Sequence, residues 1–383
     1  MPSRIPDRLM HELTSRDQEG TRRTIVPFSC GVDLSSNDYL GMARRLADPE
    51  VLRSLVHELQ VDNLGATGSR LVTGTTAQHV ELERMLATFH RADAGLLFGS
   101  GYEANLGVMA SVASRVDTFI YDEAIHASMR DGIRLSHARS FSFRHNDIDD
   151  LRSKLLSARG ERFIAVESLY SMDGDIAPLS DLCAVAQECG AYLIVDEAHA
   201  TGVYGSRGEG LVVERGLEDL VFARIHTFGK AIGYRGACVV GPTVLREYLI
   251  NAARTFIYST AADALSLRII EESYRLLESL VDARAQLSSL IEGFLRLRVS
   301  YPHLEFLPST SPIQGILCPG NDQVMRVESA LHEAGVFARG IRSPTVPKGR
   351  ERIRLCLHAF NSLEQLERAL EAISRAMQTK EAA

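Results

Sequence analysis

The chain contains no apolar run long enough to span a bilayer, so no transmembrane helix is expected. Its N-terminus, Met1-Pro2-Ser3-Arg4-Ile5-Pro6, lacks the apolar core of a signal peptide, and a cytoplasmic location is expected. Basic residues are not in excess. Lys and Arg number 42 against 49 Asp and Glu, a formal net charge of -7. That balance gives no footing for nucleic acid or an anionic membrane as a main partner. No two of the six cysteines form a CxxC pair. Cys30, Cys183, Cys189, Cys238, Cys318 and Cys356 are scattered, several in apolar runs, so buried free thiols are expected and a metal site is not. Internal repeats, low-complexity tracts and obvious linkers are also missing. What remains is ordinary globular composition, 24% charged and 45% hydrophobic over 383 residues. That is ample for a full core and more than one domain.

From about residue 90 to 245, short apolar runs alternate with helical stretches. Phe163-Ile164-Ala165-Val166, Tyr192-Leu193-Ile194-Val195 and Val221-Phe222-Ala223 are β-rich and not alternating, as expected for strands buried on both faces. Between the first two, Ser180 to Glu188 reads as a helix, with Ser180 or Asp181 as N-cap and Gly190 as its stop. Strand–helix–strand in this rhythm argues for a doubly wound, mainly parallel sheet. Near residue 260 the character changes. Ala262 to Arg298 reads as one long amphipathic helix. Short strands follow at Ile316-Leu317-Cys318, Val336-Phe337-Ala338 and Ile353 to Leu357. A last helix opens with a capping box of Ser362 and Gln365. The expected division is an N-terminal arm (1–40), a large domain (41–260) and a smaller α+β domain (261–383). The arm is expected to hold a helix and a strand-like Val32-Asp33-Leu34.

Several residues could carry chemistry, and each has a plainer explanation. Lys230 closes the turn Thr227-Phe228-Gly229-Lys230 and could bond an aldehyde, but most exposed lysines are only solvated charges. Asp196, in Val195-Asp196-Glu197-Ala198-His199, could hold a protonated ring nitrogen or merely cap a helix. Gly99-Ser100-Gly101-Tyr102, between strand and helix, could cradle a phosphate on backbone N–H groups, though tight turns use glycine for steric reasons anyway. Gly65 to Arg70 reads equally well as a plain loop. His126, in Asp122-Glu123-Ala124-Ile125-His126, and His199 could stack on a ring or move a proton, yet a lone histidine is more often a local hydrogen-bonding residue. The polar loop Glu167 to Asp175 follows a buried strand, where doubly wound sheets build active sites. Arg342 and Arg354 flank Ser343-Pro344-Thr345-Val346-Pro347 and suit a carboxylate, as any arginine would.

Taken in order, these pieces resemble the α-oxoamine synthases, pyridoxal-phosphate enzymes of aspartate-aminotransferase fold type (fold type I). The match runs from Ser35-Ser36-Asn37-Asp38-Tyr39-Leu40-Gly41 to Arg352-Ile353-Arg354-Leu355. The stretches around Lys230, Asp196 and Ser171-Met172-Asp173-Gly174 are jointly specific. Gly68-Ser69-Arg70-Leu71, Arg144-His145-Asn146-Asp147 and Ile341 to Pro347 point to the branch that condenses L-alanine with a pimeloyl thioester, from CoA or a carrier protein. Two departures bear on acyl-chain specificity: Ala200 where glycine is usual, and Ala262-Asp263 where prolines are usual.

The resemblance implies a role for each residue. Lys230 tethers pyridoxal 5'-phosphate and then serves as base. Asp196 pairs with the ring nitrogen, and His126 stacks on the ring. His199 and Ser171 address the phenolic oxygen. Thr227, with the backbone of Gly101 and Tyr102, holds the phosphate. Thr260 reaches the neighbouring subunit's phosphate, which implies a homodimer. Arg354 grips the substrate carboxylate, and Asn37 and His126 also line the substrate site. Thr345 and Arg23 line the acyl-donor site, with Arg22 an alternative to Arg23. Three other readings share the chain's features: a glycine-using 2-amino-3-ketobutyrate ligase, a longer-chain acyltransferase, and a pyridoxal-phosphate fold that has lost catalysis.

Overall fold

A computed structural model describes residues 5–25, 27, 31–57 and 64–378. By its contacts the chain forms two compact units. One comprises residues 37–171 and 175–285; the other comprises 1–36, 172–174 and 286–383. This differs from the expected division in two ways. The smaller unit begins at residue 286, not 261, because the helix Ala264–Ser279 packs on Met42–Leu46, Pro49–His57 and Ala77–Phe89 of the larger one. The N-terminal segment is no separate arm. Its Val32–Asp33 strand pairs in parallel with Val336–Phe337, so it belongs to the smaller unit.

The larger unit is built on a seven-stranded sheet. From edge to edge the strands are Ala94–Phe98, Ala237–Gly241, Ala223–Thr227, Tyr192–Asp196, Arg162–Glu167, Thr118–Asp122 and Arg139–Phe143. Only Ala237–Gly241 runs antiparallel to its neighbours. The other six strands therefore end at the same edge, and the loops leaving that edge carry Gly101, His126, Ser171, His199 and Lys230. Consecutive residues feed two cores, one on each face. Phe119, Phe163, Ala165, Ile194 and Ile225 pack with Val108 and Met129. Ile120, Ile164, Val166, Leu193 and Val195 pack with Leu151 and Leu182. Burial on both faces is why these strands read as unbroken apolar runs.

Helix limits follow local chemistry. The helix Leu179–Glu188 starts before the expected caps; Pro178 precedes it, Ser180 and Asp181 lie in its first turn, and Gly190 ends it at φ 58°. The single long helix expected over residues 262–298 is two, Ala264–Ser279 and Val281–Leu297. The break lies at Leu280, with ψ at 34°. The Leu277 carbonyl there accepts from Leu280 N at 3.1 Å and from the Arg284 guanidinium at 2.9 Å. Apolar spacing continues across the break, so periodicity alone hides it. Asp263 caps the first of these helices, accepting from Ser266 N at 2.8 Å. The strand expected at Val221 begins instead at Ala223, after a 3-10 turn at Glu218–Leu220.

The smaller unit holds an antiparallel sheet in the order Arg339–Ile341, Arg352–Cys356, Ile313–Leu317. The helices Asn321–Glu333 and Leu363–Gln378 pack on one another beside it. The Ser362 hydroxyl accepts from Gln365 N, and the Gln365 side chain accepts from Ser362 N, which is the expected capping box. Cys183, Cys238, Cys318 and Cys356 are buried and Cys189 is half-buried; Cys30 lies outside the described residues. Among the described residues, no helix is long and apolar enough to cross a membrane, and no cluster of side chains could hold a metal ion.

One buried charge network ties the helix Ala77–Phe89 to the sheet. Glu83 accepts from Arg70 at 2.7 Å, Arg246 at 2.9 Å and the Leu97 N–H at 3.1 Å. Removing the carboxylate strands a buried Arg70 cation. Glu83→Ala is therefore expected to lower unfolding free energy by about 3 kcal/mol, read from denaturant melts. A change near zero would show that the network adds nothing.

Candidate active site

The centre of the site is the last residue of a buried strand. Asp196 ends Tyr192–Asp196 and is 4% exposed. One oxygen accepts from Ala198 N at 2.8 Å and the other from the Asn105 side-chain amide at 2.7 Å. Asn105 lies on the helix Gly101–Val112, one turn in from its start. Its amide also donates to Ser128 Oγ at 3.0 Å. Ser128 Oγ lies 2.7 Å from His126 Nδ1, and the Ser128 N–H donates to that same nitrogen. Nδ1 is thus an acceptor, and the neutral ring carries its proton on Nε2. A polar chain therefore runs from Asp196 through Asn105 and Ser128 to His126. The His126 ring is held in one orientation at the head of the helix Ala127–Ser136. Its surroundings desolvate the ring and lower its pKa; the Asp196 charge opposes this and the Lys230 charge adds to it.

The Gly99 to Tyr102 turn leads directly into a helix. Ser100 caps it, accepting from Glu103 N at 3.2 Å. The first-turn N–H groups of Gly101 and Tyr102 have no helical partner and sit at the positive helix end. A Cβ built at Gly101 would come within 3.0 Å of Thr227 Oγ1. The turn and the threonine hydroxyl therefore border one space that any side chain would invade. Thr227 ends the strand before Phe228-Gly229-Lys230, and Lys230 is half-buried. His199 is buried, with Nδ1 2.7 Å from the Tyr39 hydroxyl. Tyr39 OH also lies 3.2 Å from the Asn37 side-chain oxygen. Ser171 is buried at the start of the loop after Arg162–Glu167. Thr260 is exposed and bridges to Ser69, so the Gly65 to Arg70 segment packs on the Thr260 turn.

Ten of the sequence-derived candidates thus share the larger unit: Asn37, Gly101, Tyr102, His126, Ser171, Asp196, His199, Thr227, Lys230 and Thr260. Arg23, Thr345 and Arg354 belong to the smaller one. There Arg23 donates to Thr345 Oγ1 at 3.1 Å, whereas Arg22 pairs with Asp17. Of the two alternatives, Arg23 is the one that meets Thr345. Arg354 is half-buried in the central strand of the smaller sheet. Asn105, Ser128 and Glu167 did not stand out as site residues from sequence. Asn105 offered one signal, a buried amide on an otherwise apolar helix face beside Ala104, Val108 and Met109.

The donor set fits a flat, anionic, nitrogenous cofactor. A buried carboxylate, a fixed imidazole, a helix N-terminus with a hydroxyl and an amine meet at one sheet edge. Two buried oxygens there, Asn105 Oδ1 and Glu167 Oε1, lack a partner among the described residues. The sequence profile described as "Aminotransferase class I and II" matches residues 30–373. An 8-amino-7-oxononanoate synthase of Emericella nidulans is 40% identical over 410 residues, covering 99% of this chain and 98% of that protein. The chain belongs to the α-oxoamine synthases.

Two solved structures of this family bracket the chain. Serine palmitoyltransferase from S. paucimobilis, with a bound PLP-myriocin aldimine, has TM-score 0.88 at 26% identity, covering 97% of each chain. 8-Amino-7-oxononanoate synthase from Francisella tularensis has TM-score 0.80 at 29% identity, covering 92% of this chain and 99% of that one. The fold is that of fold type I pyridoxal-phosphate enzymes. The cofactor of this α-oxoamine synthase is pyridoxal 5'-phosphate. Its reaction is the condensation of an amino acid with an acyl thioester.

His145, just after the strand Arg139–Phe143, joins two carboxylates. Its ring nitrogens lie 2.9 Å from Asp122 and 2.7 Å from Asp175. Burial lowers its pKa, but the bonds to both carboxylates outweigh this and raise it to about 10. A raised pKa contributes stability that is fully present below the unfolded value, about 6.5, and is lost as pH climbs through the folded one. His145→Gln is therefore expected to cost ~2 kcal/mol near pH 6, with the deficit shrinking toward pH 10. A deficit independent of pH in denaturant melts would contradict the charged pair.

Proposed function

We propose that this α-oxoamine synthase condenses L-alanine with a pimeloyl thioester, from CoA or a carrier protein. The products are 8-amino-7-oxononanoate, CO2 and the free thiol, a step of biotin synthesis. The observation that carries this reading is the end-to-end similarity to the Emericella nidulans 8-amino-7-oxononanoate synthase. The motifs Gly68-Ser69-Arg70 and Pro344-Thr345-Val346-Pro347 point the same way. The likeness to serine palmitoyltransferase supports a second reading, in which the chain joins another amino acid to a longer acyl chain.

When bound, the cofactor supplies an electron sink for negative charge developing at the substrate's α-carbon. The protein's own groups do the rest. Lys230 would anchor the cofactor's aldehyde, and its free amine would take the substrate's α-proton. Asp196 keeps the ring nitrogen protonated, and Asn105 fixes that carboxylate in place. His126 would stack on the cofactor ring in the orientation that Ser128 sets. His199 and Ser171 address the phenolic oxygen, and Tyr39 fixes the His199 ring. Gly101, Tyr102 and Thr227 take the phosphate. Arg354 would grip the substrate carboxylate, and Asn37 would contact the substrate. Arg23 and Thr345 border the acyl donor. Thr260 serves the neighbouring subunit's phosphate in a homodimer, and the enzyme works in the cytoplasm. Retention of the lysine argues against a protein that only binds the cofactor.

A matrix of alanine, glycine and serine against pimeloyl and palmitoyl thioesters, read by product mass, tests the substrate. Alanine with pimeloyl is expected to turn over best. A clear preference for glycine, or for serine with palmitoyl, would overturn the substrate and leave the family standing. Asp196→Ala, measured with cofactor added, is expected to lose roughly 10²–10³-fold in kcat. Near-normal turnover would remove Asp196 from its role.

A further inference from the structure

A second carboxylate lies beside Asp196, and no step above uses it. Glu167 ends the strand Arg162–Glu167 and pairs in parallel register with Asp196. It is 2% exposed. The backbone N–H groups of His126 and Ser171 point at its carboxyl group. Its Oε1 has no hydrogen-bond partner among the described residues. The titratable groups that face it are Asp196, Lys230 and the phenol of Tyr170.

Two carboxylates side by side in a dry site cannot both ionise cheaply. Asp196 has the Asn105 amide and the Ala198 N–H to stabilise its charge. Glu167 is the one to stay neutral: burial, with the Asp196 charge beside it, pushes its carboxyl up to about 8. The Lys230 charge and the two N–H groups act against that rise without cancelling it. A neutral acid has a proton to give, and the orphaned oxygen is where it would be given. The ring nitrogen is addressed by Asp196, and the phosphate by Gly101 and Thr227. Ser171, whose N–H meets the Glu167 carboxyl, belongs to the phenolic side. A phenolate accepts a hydrogen bond from an acid and is repelled by a carboxylate.

We propose that Glu167 is a protonated carboxylic acid whose Oε1–H is donated to the cofactor's phenolic oxygen, leaving Asp196 as the buried anion of the pair. This rests on the assignment of Asp196 and Lys230 to the cofactor.

The test compares wild type, Glu167→Gln and Glu167→Ala as holoenzymes. The readout is the pH midpoint of the bound cofactor's visible absorbance. A donor to the phenolate weakens its hold on the neighbouring imine proton and lowers the midpoint; a buried anion would raise it. Glu167→Ala is expected to move the midpoint up, about tenfold in proton affinity. Glu167→Gln keeps a donor and a similar volume, so its midpoint is expected to stay at the wild-type value. If Glu167 is ionised instead, the glutamine variant loses an anion and its midpoint falls, which overturns the proposal. That arm decides even if the alanine variant does not hold cofactor. Infrared spectra give a second reading: the carbonyl band of a protonated carboxyl group in wild type, absent from Glu167→Gln. No such band in wild type would equally overturn it. Failure of the underlying assignment looks different: Lys230→Ala would then keep the wild-type visible absorbance.

Discussion

The site depends on one constraint, that a carboxylate be kept buried and fixed at the end of a parallel strand. Asp196 meets it because the sheet ends there and two donors converge on it. The Asn105 amide is shared between Asp196 and Ser128, and Ser128 in turn sets the His126 ring. The group that would hold a ring nitrogen and the group that would stack on the ring are therefore wired together through one helix. Such a chain fixes geometry more firmly than its separate bonds would, because each polar group is satisfied only when its neighbour is in place.

The same sheet edge explains why residues far apart in sequence meet. Six strands end together, and the segments after five of them each supply one or two of the candidate groups. His145, in the loop after Arg139–Phe143, is bonded to Asp122 at the end of the neighbouring strand and to Asp175 in the loop after Arg162–Glu167. The seven strands need both faces covered, and the alternation of Phe163 and Ala165 against Ile164 and Val166 shows how each strand serves both cores. Positioning of the chemistry and stability of the core are thus the work of the same strands.

The sequence made some of this legible and hid the rest for physical reasons. The buried strands were readable because double burial leaves unbroken apolar runs. Lys230, Asp196, His126 and His199 were readable because each follows such a run at a loop. The helix break at Leu280 was not, since apolar spacing carries straight through and the Arg284 side chain donates to the Leu277 carbonyl from a distance. Asn105 and Glu167 were hidden because their importance lies in register and depth. A strand's last residue becomes notable only when its partner in the next strand is known to be Asp196. The domain boundary near residue 261 misled because a change of pattern marks a new element, and the element that starts there, Ala264–Ser279, packs on the larger unit.

Arg23, Thr345 and Arg354, the residues proposed to meet the substrates, lie far in sequence from Lys230. The centre itself is the claim that Asp196 exists to keep a ring nitrogen protonated. Nuclear magnetic resonance of holoenzyme loaded with ring-nitrogen-labelled cofactor reads that proton directly. A protonated nitrogen at neutral pH, lost in Asp196→Ala, is the result expected. An unprotonated nitrogen in the wild-type enzyme would contradict the account.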